Sequence, residues 1–194
     1  MKSVYLKISS LFVLVFTLLV FNHCVSRPKV SIRYDNYKPG FSPAKYSEYK
    51  GKYVFLAEFM NQAENTSIYS YFNQDKSYVY ETQNLADYFW YCFQKTFKSI
   101  GSRVQEGLTN INPKTPELQM TLLSVTDEKV LFKMQVYIQQ VMEFDKDFSL
   151  RFNPADTQDL EIREKQAYEM TDQIIMAVLD DPKFKELVVE GIKL

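Results

Sequence analysis

Histidine, cysteine and glycine are scarce in this chain of 194 residues, and their scarcity narrows the chemistry open to it. The sequence has one histidine, His23, two cysteines, Cys24 and Cys92, and five glycines. General acid–base catalysis usually relies on histidine, nucleophilic catalysis on a base-activated side chain, and phosphate binding on a glycine-rich loop. No arrangement of this kind occurs in the sequence. We therefore predict that the protein is not an enzyme.

Neighbouring carboxylates are the remaining candidates for site chemistry. Asp127 with Glu128, and Asp145 with Asp147, fall in predicted turns, and neither pair has the spacing and glycine of a calcium loop. Solvated turn residues are the simpler interpretation. The sequence therefore predicts no catalytic residue, no metal site and no cofactor.

The amino-terminal stretch has the composition of a signal peptide. Lys2 and Lys7 precede an uncharged apolar run over 11–21, which is short for a helix that must cross a bilayer. We predict a signal peptide over residues 1–23. An amino-terminal anchor that is never cleaved is the alternative. Both interpretations predict export.

Cys24 directly follows the apolar run, and two cleavage sites are open. In the first, Cys24 becomes the first residue of the mature protein and carries acyl chains such as palmitate, which attach the protein to a membrane. In the second, Cys24 and Ser26 are the small residues before a cut ahead of Arg27, and the protein is secreted. We expect lipidation at Cys24.

The charge balance argues against nucleic acid as a partner. The whole chain has 23 basic and 24 acidic residues, and two of the basic ones leave with the signal peptide. No basic run or basic helix face is present to neutralise phosphates. Cys92 lies in an aromatic helical stretch and is expected to be a buried hydrophobic residue.

Residues 24–50 are rich in proline, tyrosine and charge and show no regular period. We interpret them as a lipidated tether, and its tyrosines indicate that part of it packs on the folded protein. Residues 51–194 are then a single periplasmic α+β domain, because the remaining length suits one core.

The stretch from Glu117 to Gln139 alternates with the two-residue period of a β-hairpin. The apolar rows are Leu118, Met120 and Leu122 in the first strand and Val130, Phe132, Met134, Val136 and Ile138 in the second. A three-residue loop over 127–129 sets Leu122 opposite Met134 and Leu118 opposite Ile138. A bulge near this loop is the alternative.

Further elements follow from periodicity and from capping residues. We predict strands over 52–60, 103–106 and 141–152, a tyrosine-rich ribbon over 68–72 and 77–81, a helix over 84–100 that ends at Gly101, a helix that begins at Asp156 or Thr157 and ends at Leu179, and a short helix capped by Asp181. The turn before the last strand lies at 139–140 or at 145–146. The predicted fold class is α+β: a mainly antiparallel sheet of about four to five strands with two long helices packed on one face.

Six aromatic residues are candidates for a binding surface. They are Tyr69, Tyr71, Tyr78 and Tyr80 of the ribbon and Trp90 and Tyr91 of the first long helix. Cross-strand packing within the ribbon, and a wide buried face of the helix, are the structural alternatives.

These features together resemble small bacterial envelope lipoproteins. The resemblance is carried by the leader, by YKGKYVFL at 49–56, by the aromatic helix that ends at Gly101, by the hairpin PELQMTLLSVTDEKVLFKMQVYI and by YEMTDQIIMAVLDDPKF in the closing helix. The groups it is most similar to are ABC-transport auxiliary lipoproteins and lipopolysaccharide-assembly lipoproteins. The resemblance implies a periplasm-facing domain at the outer membrane that serves a lipid-transport or envelope-assembly complex, and it implies no catalytic residues.

We therefore expect a non-enzymatic accessory lipoprotein whose partners are the membrane, through acyl chains on Cys24, and an envelope transport or assembly protein. An exposed sheet edge and the aromatic ribbon are the expected contacts. The alternative is a secreted or lipid-anchored protein that binds a small ligand or lipid in a cavity between helix and sheet, lined by the aromatic cluster.

Overall fold

A computed structural model describes residues 26–105, 107 and 109–191. The signal peptide and Cys24 therefore lie outside the described residues. The strands are β1 (Lys29–Ser31), β2 (Tyr53–Asn61), β3 (Ser70–Phe72), β4 (Val79–Glu81), β5 (Arg103–Gln105), β6 (Glu117–Val125), β7 (Lys129–Ile138) and β8 (Val141–Arg151). The helices are α1 (Leu85–Ser99), α2 (Leu160–Leu179) and α3 (Pro182–Lys185), with a 3-10 segment at Pro43–Tyr49 and a π turn at Glu186–Glu190.

The main sheet has five strands in the order β5-β2-β6-β7-β8. The chain pairs β6, β7 and β8 in antiparallel fashion, whereas β2 pairs in parallel with both β5 and β6. Since β2 is flanked on both sides, it is an interior strand, as its apolar faces predicted. The α+β class and the strand number of the main sheet are confirmed.

The β6–β7 hairpin has the predicted apolar rows but not the predicted register. Leu122 faces Phe132 and Leu118 faces Val136, so the pairing differs by two residues from the expected one. Three residues, 126–128, separate the two strands, and the amide of Thr126 donates to the carbonyl of Lys129 over 2.8 Å. A bulge at Leu123 places one extra residue in β6, so the apolar residues of β6 and β7 still lie on the same face of the sheet.

The turn between β7 and β8 lies at Gln139 and Gln140. Both residues have positive φ, 55° and 67°, which is the backbone of a two-residue hairpin turn in which glycine or asparagine is usual. The alternative turn at 145–146 is wrong, because both residues lie inside β8.

A second, smaller sheet is built from the expected tether and the tyrosine ribbon. Its order is β1-β4-β3, with β1 parallel to β4 and β3 antiparallel to it. Val30 and Ile32, and farther along Tyr37, Tyr46 and Tyr49, are buried in the core. Residues from Lys29 to Tyr49 of the expected tether therefore pack against the rest of the described domain.

Helix α1 begins and ends as its sequence predicted. The side chain of Asn84 accepts hydrogen bonds from the amides of Ala86 and Asp87. Gly101 follows the helix with φ of 82°, a conformation that favours glycine. The apolar face packs on β2, where the rings of Phe93 and Phe59 lie 5.4 Å apart edge to face.

Helix α2 begins later than expected. Asp159 is the N-cap and accepts from the amides of Glu161 and Ile162, whereas the hydroxyl of Thr157 accepts from the amide of Asp159. The predicted caps Asp156 and Thr157 are therefore wrong, since Thr157 orders the turn before the cap. Asp181 does cap α3, as predicted. Within the described ranges, no helix combines the length and apolar character needed to cross a bilayer.

Candidate functional site

An open cleft lies at the end of the main sheet where β2 and β6 meet the β7–β8 turn. Its volume is about 630 Å³. Its walls come from the bulged part of β2, the start of β6, the loop before β6 and the β7–β8 turn, and Trp90 of α1 lines it as well. Two irregularities of the backbone, a bulge in β2 and a left-handed turn between β7 and β8, meet at this cleft.

The first irregularity is a bulge in β2. Ala57 and Glu58 together lie opposite Gln119 of β6, so the ladder between the two strands is interrupted. The indole Nε1 of Trp90 donates to the carbonyls of Leu56 and Ala57, over 3.2 and 3.0 Å. Trp90 thus satisfies backbone groups at the bulge, and its ring orientation is set by these bonds.

The second irregularity is the left-handed turn at Gln139 and Gln140, which lines the cleft. Neither residue is glycine, so the turn stores strain of roughly 1–3 kcal/mol per residue. The amide of Gln139 donates to the carbonyl of Pro113 over 2.7 Å, which ties the turn to the loop before β6. Strained backbone of this kind is concentrated at functional sites in proteins.

The chemistry of the cleft is polar, and the described side chains that line it carry no positive charge. The polar lining residues are Glu58, Thr109, Asn110, Glu117, Gln119, Gln139 and Gln140. Gln119 is held in place because its amide donates to the carboxylate of Glu117 over 3.1 Å. The cleft therefore suits a neutral polar group or a cation rather than an anion.

A separate feature is the outer edge of β8, which begins beside the cleft. The amide of Phe152 donates to the carbonyl of Glu128 on the β7 side. In an antiparallel pair, every second residue of a strand directs its amide and carbonyl groups to the neighbouring strand, and the residues between direct theirs away from it. The backbone groups of Asp145, Asp147 and Ser149 consequently point away from β7. Among the residues that the structure describes, no strand pairs with this edge.

Exposed apolar residues accompany the edge and the cleft. Val141 and Met142 at the start of β8 are 56% and 49% exposed, and Ile111 in the loop before β6 is 81% exposed. The exposed face of β8 carries charge, and Lys133 of β7 lies 3.5 Å from Asp145. Charged side chains at a sheet edge disfavour pairing with unrelated strands, whereas the backbone groups of the edge stay available to a partner with complementary side chains.

The six aromatic candidates divide between core and surface. Tyr71, Tyr78 and Tyr80 are buried, and the rings of Tyr71 and Tyr80 stack 4.7 Å apart as a cross-strand pair. Tyr69 is 61% exposed. The ribbon is therefore mainly a packing element, which was the structural alternative weighed for it.

The two helix candidates lie closer to the surface. Trp90 is half-buried in the cleft, and Tyr91 is partly exposed and stacks on Tyr34 at 4.2 Å between ring centroids. Lys95 donates to the backbone carbonyl of Tyr34 over 2.6 Å, which holds this aromatic pair. Of the six candidates, Trp90 is the one that reaches the cleft.

A buried polar network lies between α1, α2 and the amino-terminal segment. Asp172 accepts from the hydroxyl of Tyr37 over 2.7 Å and from the amide of Gly40 over 2.9 Å, and the Tyr37 hydroxyl also meets Thr96. Burial raises the pKa of the Asp172 carboxyl, although its two hydrogen bonds oppose the rise. The network pins the amino-terminal segment to both helices.

Cys92 is fully buried on α1, and burial raises the pKa of its thiol far above the ordinary value. Burial therefore disfavours the reactive thiolate form, and Cys92 is buried as expected for a small hydrophobic residue. Across the described stretches of the chain, no three histidine, cysteine or acidic side chains gather into a possible metal site.

Sequence reasoning missed the cleft. Its members are distant in the chain, and it depends on the β2 bulge and on a turn that neither glycine nor asparagine marks. The one available signal was Trp90, which falls off the main apolar stripe of its helix.

Comparison with known proteins shows a fold relationship only. No family model matches the sequence, and no curated protein matches it. Protein XCC0632 from Xanthomonas campestris, of the DUF330 family, has a similar structure with a TM-score of 0.52 and 8% identity, covering 86% of this chain and 95% of that one. A second, uncharacterized protein of known structure gives a TM-score of 0.52 and 8% identity, covering 79% of this chain and 97% of that one.

Proposed function

We propose that the chain is a non-enzymatic accessory component of an envelope transport or assembly complex. It is held at the outer membrane by acyl chains on Cys24, faces the periplasm, and docks a partner protein along the outer edge of β8. The observation that carries this proposal is the unpaired edge, which offers backbone donors and acceptors over most of an 11-residue strand.

The reason that an edge strand can bind a partner is elementary. A second strand laid against β8 gains main-chain hydrogen bonds, and contacts with side chains select its sequence. The exposed side chains of Asp145 and Asp147 favour basic residues in the partner strand, and Val141 and Met142 favour an apolar residue at its end. A fold related to XCC0632 is compatible with this role but does not specify it.

Proline substitution tests the proposal. Ser149→Pro removes an outward amide without removing a bond to β7, so the domain should fold while partner binding falls at least tenfold. Ser149→Ala is the matched control, because it keeps the amide and should bind as the natural protein does. A photocrosslinker placed at Asp147 in the native host should capture an envelope protein, whereas one at Lys165 on the exposed face of α2 should not. Normal binding by Ser149→Pro would refute edge docking.

A second candidate function is the binding of a small polar ligand, which the cleft favours. The expected site between helix and sheet lies in a region where Phe59, Phe93 and Phe97 are packed in contact, so the cleft replaces it. Trp90 is the only tryptophan of the chain, so its fluorescence reports on the cleft alone. Titration with a neutral oligosaccharide and with a lysine-rich peptide should change this fluorescence, and an acidic peptide of equal length should not. No change with either ligand would remove this candidate.

A further inference from the structure

A narrow crevice lies between α2, the β3–β4 ribbon and the segment that follows β8. Its volume is about 60 Å³. Tyr71 and Tyr80 line it from the ribbon, Asp127 from the hairpin loop and Gln166 from α2. Its mouth carries exposed polar side chains, among them Gln173. The crevice belongs neither to the cleft nor to the β8 edge.

Three polar atoms in this crevice are buried without a partner. The hydroxyls of Tyr71 and Tyr80 and the Oε1 atom of Gln166 have no partner at hydrogen-bonding distance among the residues that the structure describes, although the Tyr80 hydroxyl lies near the guanidinium of Arg163 and the carboxylate of Asp127. Native proteins rarely leave buried polar groups unsatisfied, because such groups usually bond to another residue or to an ordered water. Three such atoms around one small cavity point to an occupant.

The hydroxyls of Tyr71 and Tyr80 provide the crevice with two adjacent hydrogen-bond donors. Tyr71 and Tyr80 face each other across the ribbon and their rings are nearly parallel, at 5°, which places both hydroxyls on the same side. Burial raises the pKa of each phenol, so both keep their protons. Gln166 supplies an acceptor.

Both acidic side chains that line the crevice, Asp127 and Glu169, have a basic partner, and the partner of Glu169 is Lys165 at 3.7 Å on the exposed side of α2. The carboxylate of Asp127 and the guanidinium of Arg163 are both buried and lie 3.7 Å apart. The carboxylate accepts from the amide of Gln74 over 3.0 Å, and the guanidinium lies on the ring of Tyr78 at 3.7 Å. An anion would meet the two carboxylates, and a cation would compete with the guanidinium and the ammonium group already paired with them, so a neutral group that both donates and accepts fits best.

We propose that this crevice is a binding site for a neutral hydroxylic ligand, and that its resident form is about two water molecules. One water needs roughly 10–15 Å³ of accessible space, so a crevice of about 60 Å³ has room for at least two. A water there accepts from the tyrosine hydroxyls and donates to Gln166 and Asp127. The occupant joins the ribbon, the hairpin loop and α2 through one hydrogen-bonded cluster.

Replacing each crevice tyrosine with phenylalanine tests the site, because Tm falls if the hydroxyl is bonded to an occupant and does not fall if the hydroxyl has no partner. If the hydroxyls are bonded to an occupant, Tyr71→Phe and Tyr80→Phe each lower Tm by about 2–4 °C. Tyr88→Phe is the positive control, because that hydroxyl meets Thr171 over 2.9 Å, and exposed Tyr69→Phe is the silent control. Unchanged or higher Tm in both crevice variants overturns the proposal, because deleting a truly orphaned hydroxyl relieves a cost.

The chemical class of the occupant is tested with probes of matched size. Methanol, methylammonium and acetate are titrated at constant ionic strength while the side-chain amide signals of Gln166 are followed by NMR. Methanol should shift these signals and the two ions should not. If all three are silent, the proposed binding of a hydroxylic ligand is overturned, and the Tm losses then report on resident water alone. A shift caused by either ion and not by methanol overturns it.

Discussion

Replacing Phe132 with alanine removes a fully buried aromatic side chain from the main sheet. Phe132 is fully buried on β7, faces Leu122 on β6 and stacks on Phe148 of β8 with ring centroids 4.9 Å apart and planes within 3°. Truncation of a buried phenylalanine costs about 3–5 kcal/mol of unfolding free energy. The upper half of this range is expected here, because the stacked partner on β8 also loses its contact.

The control is the neighbouring residue, Lys133, whose side chain points to the opposite face. It lies 3.5 Å from Asp145 and 3.8 Å from Asp147 and is about one-third exposed, so Lys133→Ala should cost less than about 1 kcal/mol. Lys133→Asp should cost more than Lys133→Ala, since it gathers three acidic groups.

Urea unfolding followed by circular dichroism measures both variants. Phe132→Ala should lower the midpoint strongly with an unchanged m-value, and Phe132→Asp should leave the domain unfolded, because it buries an unpaired charge. Equal losses for Phe132→Ala and Lys133→Ala would refute the assignment of the two faces of β7. A loss below about 1 kcal/mol for Phe132→Ala would refute the packing around it.

Three further outcomes are expected. Gly40→Ala should destabilise the domain by about 1–3 kcal/mol in the same urea assay, because the new Cβ would lie 2.6 Å from Oδ2 of Asp172; natural stability would contradict this close approach. Burial raises the pKa of the Asp127 carboxyl above its ordinary 3.8, so its contribution to stability is complete below pH 3.8 and is lost as the pH rises through the folded pKa. The Tm of the natural protein should therefore fall over this pH range, and Asp127→Asn should abolish that fall. An identical dependence of Tm on pH in the variant would count against this assignment. Cys24→Ser should abolish labelled palmitate incorporation and release the protein from membranes, because each buried acyl methylene contributes about 0.8 kcal/mol, whereas a mature protein that begins at Arg27 without label would exclude lipidation.

Local patterns predicted most of the elements because their signals lie within a few residues. The α1 helix is defined by an apolar stripe between Asn84 and Gly101, and α3 by Asp181 followed by Pro182. The α2 cap was missed because Asp156, Thr157 and Asp159 are all good capping residues. Only the position of the helix on the core selects among them.

The candidate site was predicted in part. A free sheet edge was expected, and β8 provides one. The cleft was not expected, because a bulge in β2 and a turn at Gln139 and Gln140 form it, and neither has a residue that marks it. Asp127 was interpreted as a solvated turn residue, yet it is buried, since Arg163 and the amide of Gln74 reach it from distant parts of the chain.

The sequence by itself determined the α+β class, the faces of the strands and the span of α1, because alternation and capping act between residues close together in the chain. Tertiary structure alone decided the hairpin register, the pairing of residues 29–31 in a second sheet, and the two polar sites. These depend on contacts between segments far apart, such as Tyr37 with Asp172. A bulge of one residue shifts the pairing of a strand while leaving its apolar row on the same face, so the hydrophobic pattern cannot distinguish the alternatives.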